Sequence, residues 1–138
     1  MHTLSRLHRA SVSDDNRTAQ AVFLNATRSA RTAGFAWAWA GLGAASIRTE
    51  NWEQADGALR HASTLDENSA SVWASTALLA LKAKPASPPE AERSVIRALA
   101  CGLNSAAVLE ELYEEFSNSD QPEVATLVAE RQESLAQW

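Results

Sequence analysis

Three histidines, one cysteine and a short run of glutamates are the residues of this 138-residue chain with the types that chemistry needs. Cys101 beside a base would make an activated nucleophile, and two or three His or carboxylate side chains at close spacing would hold a metal ion. Neither set forms in the sequence. His2 and His8 lie in the first few residues, and His61 stands alone. Cys101 sits inside the apolar "IRALACGL", surroundings that favour a packed thiol over a reactive thiolate. The glutamates of "EELYEE" (110–115) look like an acid/base pair, but on a helix Glu110 with Glu114 and Glu111 with Glu115 are like-charged neighbours on a solvated face, with no histidine beside them. "GLGAAS" (41–46) lacks the preceding strand and the further glycine or lysine of a phosphate loop. No catalytic residue, metal site, cofactor or small-molecule substrate is expected.

Composition narrows the class further. The length suits one domain. Alanine is abundant while glycine (5) and proline (4) are scarce, which disfavours a turn-rich β fold. A lone cysteine excludes a disulfide framework and any multi-cysteine zinc or iron–sulfur site, and it fits a reducing, cytoplasmic setting. No apolar run reaches the length of a membrane span, so no membrane partner is expected. Up to Arg48, six arginines face Asp14 and Asp15; from Thr49 onward, fifteen carboxylates face six lysines and arginines. The acidic half disfavours nucleic acid as a partner, because phosphate contacts need clustered cations. Residues 1–13 are basic and free of acids, which reads as a flexible lead-in ahead of a single helical domain from 14 to 138; a targeting segment has the same composition.

The elements that would position functional residues follow from a repeat. Trp39 and Trp73 are 34 residues apart. Leu42 and Gly43, then Ala55, Leu59 and Ala62, follow the first tryptophan; Thr76 and Ala77, then Ala91, Val95 and Ala98, follow the second, with two extra residues in "KAKPASPPEA". Leu109, Leu112, Phe116 and Ala125 begin a third unit, and Ala19, Phe23 and Ala26 repeat the second half alone. The spacing predicts seven helices, at about 14–31, 35–48, 52–65, 70–83, 88–101, 105–118 and 121–136. Asp14, Asn51, Asn68 and Ser87 or Ser105 are candidate N-caps, and Asp120 with Pro122 and Glu123 signals the last start.

These positions resemble the tetratricopeptide repeat (TPR), whose helix pair carries Trp, Leu and Gly in its first helix and Ala, Phe and Ala in its second. The resemblance spans about residues 17 to 135 and implies an all-α superhelical stack of antiparallel helix pairs. Ser46, Glu67 and Tyr113 depart from the family's usual tyrosine, proline and small residue. From Trp39 to about Glu115 the chain more closely resembles the final TPR region of an axonemal protein of cilia and flagella. That implies a non-enzymatic protein-interaction scaffold, cytoplasmic or in the axoneme of a cilium or flagellum. The alternative is a cytosolic adaptor or co-chaperone, but the surface that would carry a carboxylate clamp holds Ala40, Ala44, Ser75, Glu110 and Glu114.

On a helix Trp37 and Trp39 point about 200° apart. Trp39 falls at the family's core position, and Trp37 on the face that lines the concave groove; the alternative for Trp37 is packing on Phe23 of the first helix. Counting along the first helix of each pair, the expected partner-binding groove comprises Trp37, Ala40, Ala44, Ile47 and Arg48; Ser71, Ala74, Leu78, Leu81 and Lys82; and Glu110 and Glu114, with Ala107 and Asn118 beside them. An apolar centre in such a groove suits a partner's amphipathic helix or extended segment, or neighbouring subunits of an assembly.

Overall fold

The computed structural model describes residues 2–29 and 34–137, and side chains of the first helix from residue 15. Among these residues there are seven helices and no strand: α1 (His2–Arg28), α2 (Ala36–Arg48), α3 (Trp52–Leu65), α4 (Ala70–Lys82), α5 (Pro88–Ala100), α6 (Ala106–Asn118) and α7 (Pro122–Ala136). From α2 onward the bounds agree with the periodicity to within about one residue. Helix α1 passes through Asp14 without a start there and includes the segment read as a lead-in. Its expected end near residue 31 lies outside the described residues.

Local chemistry sets the helix ends. Asn51, Ser69 and Ser105 each accept a hydrogen bond from the backbone N–H three residues on, all at 3.4 Å, so the cap of α4 is Ser69 rather than Asn68. Helices α5 and α7 instead begin with proline, which forfeits only an N–H that a first turn leaves unpaired, and Glu90 and Glu123 sit at the positive end of the helix dipole. After α2, α5 and α6 the chain closes by one device. Asn51 N–H bonds Ser46 O (2.8 Å), Leu103 N–H bonds Ala98 O (3.1 Å), and Gln121 N–H bonds Phe116 O (3.2 Å). Each closure needs a left-handed residue just before the donor: Glu50 (φ 60°), Gly102 (φ 89°) and Asp120 (φ 58°).

The chain divides into two compact units, Met1–Asp66 and Glu67–Trp138. In the first, α2 and α3 pack antiparallel, since Ser46 meets Gln54, Gly43 meets Leu59 and Trp39 meets His61 in reversed order. Small side chains make the approach close: Ala38, Ala55 and Ala62 have no exposed surface, and a Cβ on Gly43 would come within 2.6 Å of Leu59. Helix α1 lies on α2 with the Phe23 ring over Gly41, where a Cβ would collide with it. Ser46, where the family usually has tyrosine, is fully buried; its Oγ lies 2.7 Å from Leu42 O and 2.9 Å from Gln54 Oε1, and Gln54 also bonds Gln20 of α1. A compact polar contact thus joins three helices where an aromatic ring would otherwise stand.

In the second unit α4 packs on α5, α6 on α7, and α6 also on α4. One apolar cluster runs through all four helices, including Leu78 and Leu81 of α4, Val95 of α5, Leu112 and Phe116 of α6, and Val128 of α7. Phe116 is fully buried, so the third pair, which has no tryptophan, is anchored by phenylalanine and leucine.

Candidate partner-binding surfaces

Helices α2, α4 and α6 start at Ala36, Ala70 and Ala106, spacings of 34 and 36 residues, while α3, α5 and α7 start at Trp52, Pro88 and Pro122, spacings of 36 and 34. The helix bounds therefore keep the tryptophan register, with Trp39, Trp73 and Leu109 each at the fourth position of its helix. Trp39 and Trp73 are only half-buried, however, and complete burial falls to Ala38, Leu42 and Ala45 around the one and to Val72, Ala74 and Ala77 around the other. Helices brought together by alanine leave no room for a whole indole between them, so each ring lies along the edge of its pair. Trp39 lies against His61 at 4.1 Å between centroids. The Trp73 face carries the Arg97 guanidinium at 4.4 Å, and its Nε1–H donates to Glu67 O at 2.8 Å.

His61, Arg97 and the third-pair equivalent Arg131 hold one register position. Without an indole below it, Arg131 reaches the end of α5 and donates to Leu99 O (2.9 Å) and Leu103 O (3.3 Å). Leu99 O, in the last turn of α5, also accepts the Gly102 N–H (3.1 Å), and Leu103 O lies just past the helix, so the guanidinium ties the end of α5 to the turn that follows it. This recurring position of nitrogen-bearing side chains is not among the residues singled out from the repeat; counting His61, Arg97 and Arg131 at spacings of 36 and 34 finds it.

The expected groove residues separate by burial. On α2, Trp37 is 54% exposed and stacks on Phe35, also 54% exposed, with centroids 6.4 Å apart. Phe23 sits over Gly41, and Trp37 stays open to solvent. Ala40 and Ala44 are half-buried, Arg48 is exposed and Ile47 is buried. On α4, Ser71 is exposed, but Ala74, Leu78 and Leu81 lie in the apolar cluster with α6 and offer no surface. Lys82 is not free either: its Nζ lies 3.1 Å from Glu111 Oε1 and 3.6 Å from Glu115 Oε1. Those two glutamates were expected on a solvated face; they are half-buried against α4, whereas Glu110 and Glu114, with Ala107 and Asn118, are exposed.

Between α6 and α7 lies a cleft of about 320 Å³ lined by Tyr113, Ser117, Asp120, Pro122, Ala125, Thr126 and Ala129. Gln121 Nε2, in the α6–α7 turn, is buried without a hydrogen-bond partner. Among the described residues no cluster of three His, Cys, Asp or Glu side chains is placed to hold a metal, and no helix is long and apolar enough to cross a membrane.

Consecutive antiparallel helix pairs at this spacing, with tryptophan in the first helix and alanines in the second, define a TPR-type helical repeat. The model of the cilia and flagella-associated protein 70 C-terminal domain matches residues 7–137, and the chain belongs to that family. No curated protein matches it.

Proposed function

We propose that this chain is a non-enzymatic protein-interaction scaffold of the TPR type that serves in assembling the axoneme of a cilium or flagellum, with a partner helix or extended segment held on the α2 face. The exposed Phe35–Trp37 stack carries this reading. Two large aromatic rings stacked together and each more than half open to water form a contiguous apolar patch of the kind that marks an interaction surface. Ala40, Ala44 and Arg48 continue the strip from Trp37 along α2, at the one-turn spacing that gives a furrow of small side chains ending in a cation. Tryptophan above such a furrow has the make-up of an interface hot spot. The ciliary setting is supported by the family to which the chain belongs.

The test uses the full chain as bait in extracts of ciliated cells, beside extracts of non-ciliated cells. A partner retained only from the ciliated extract is expected, with Trp37→Ala weakening its binding by roughly 2 kcal/mol or more at an unchanged melting temperature. Equal retention by wild type and Trp37→Ala would remove the α2 face from the reading, and capture of the same partners from both extracts would remove the ciliary role.

A further inference from the structure

The second unit contains its own pattern for seating a helix. Helix α6 packs on α4, where Ala74, Ala77, Leu78 and Leu81 are all buried. At the margin of that face Lys82 of α4 meets Glu111 and Glu115, two carboxylates one turn apart on α6. Moving forward 36 residues, the equivalents of the four buried residues on α6 are Glu110, Tyr113, Glu114 and Ser117, and all four are exposed. The face that receives a helix on α4 is therefore uncovered on α6 by any described residue.

Its chemistry has changed in one direction. From residue 105 to 137, eight carboxylates face a single cation, Arg131, and Arg131 is committed to the Leu99 and Leu103 carbonyls. Beside this face runs the α6–α7 cleft, whose lining joins Tyr113, Pro122, Ala125 and Ala129 with the polar Ser117, Asp120 and Thr126. Glu110 lies one turn before Tyr113 and Glu114 one turn before Ser117, while Glu133 lies one turn beyond Ala129. No ion pair with a described residue neutralises these three carboxylates. A partly apolar cleft that includes Asp120, with exposed carboxylates on the two helices beside it, is complementary to a helix with an apolar stripe flanked by lysine or arginine.

We propose that the α6–α7 cleft is a docking site for a basic amphipathic helix of another protein, seated on α6 as α6 is seated on α4, with its cations on Glu110, Glu114 and Glu133. The Lys82 contact supplies the geometry: one ammonium serves two glutamates at i and i+4, and Glu110 with Glu114 repeats that spacing on the open face. This surface belongs to the second unit and does not depend on the α2 face.

The probe is a fluorescein-labelled peptide copying residues 105–118 with its four glutamates replaced by lysine. It retains the apolar side chains of Leu109, Leu112 and Phe116, by which α6 packs, and carries cations where the rim is acidic. Added to the full chain, it should raise the anisotropy saturably, with affinity falling about tenfold or more between about 50 and about 300 mM salt. The E110K/E114K variant, altered only at exposed positions, should keep its melting temperature and bind the probe at least about tenfold more weakly. The unmodified peptide should bind wild type about as poorly. No saturable binding, or equal affinity for wild type and E110K/E114K, overturns the proposal; the latter would mean that the peptide displaces α6 from α4. Sedimentation of the chain alone gives a second check. A concentration-dependent dimer that E110K/E114K abolishes would assign the cleft to a second copy, and the proposal fails.

Discussion

Trp39 and Trp73 occupy one place in successive helix pairs, and each indole lies against a side chain from the second helix, His61 or Arg97. Half-burial sets the cost of removing them. Truncating a fully buried tryptophan costs about 3–5 kcal/mol, so Trp73→Ala should cost about 2 kcal/mol in urea denaturation. Arg97 adds a cation over the ring in an exposed setting, and a double-mutant cycle of Trp73→Ala with Arg97→Ala should give a coupling of about 0.5–1 kcal/mol. A loss above about 4 kcal/mol for Trp73→Ala would place that residue in the core. Gly43 behaves in the opposite sense. Alanine is the better helix former by about 1 kcal/mol, but its Cβ at this position meets the branched end of Leu59 at 2.6 Å. Gly43→Ala should therefore destabilise the first unit by about 1–3 kcal/mol, and a gain in stability would show that Leu59 yields without cost.

The helix ends are where single elements gain or lose most. Glu50 closes the α2–α3 turn in a left-handed conformation that an L side chain enters against a penalty of about 1–2 kcal/mol. Glu50→Gly should raise stability by up to about 1 kcal/mol, read as a higher denaturation midpoint, because glycine removes the penalty and gives some back as chain entropy. Arg131 closes α5 from another helix. Its two bonds to carbonyls are charge-assisted and half-buried, and Arg131→Ala should cost about 1–2 kcal/mol. Arg60→Ala is the matched control. That arginine pairs with Asp56 at 2.8 Å on an exposed helix face, and its removal should change stability by less than about 0.5 kcal/mol.

For the molecule as a whole, the apolar cluster of α4 to α7 lies entirely between Glu67 and the C-terminus. A fragment of residues 67–138 should therefore keep its helical circular dichroism and melt cooperatively. Its melting temperature should be low, because a chain of this size buries a small fraction of its surface. A non-cooperative melt would show that this core does not hold by itself.

From α2 onward the amino-acid sequence alone sets where the helices lie, whereas the start of α1 at His2 escaped it. Their bounds depend on 3.6-residue periodicity, caps such as Asn51 and Ser105, and prolines at positions 88 and 122, all local in the chain. It also determined the pairing, because alanines and Gly43 at fixed offsets from each tryptophan permit a close approach and the three residues between α2 and α3 make it antiparallel. Burial at each position was decided by the tertiary structure. Ala74, Leu78 and Leu81 share a helix face with Ser71 and were read as groove residues, yet α6 completes the cluster that encloses them. Glu111 and Glu110 are neighbours in sequence, but only Glu111 faces Lys82, 29 residues away. Periodicity says which side of a helix a residue occupies; what stands on that side depends on a contact between residues far apart in the chain.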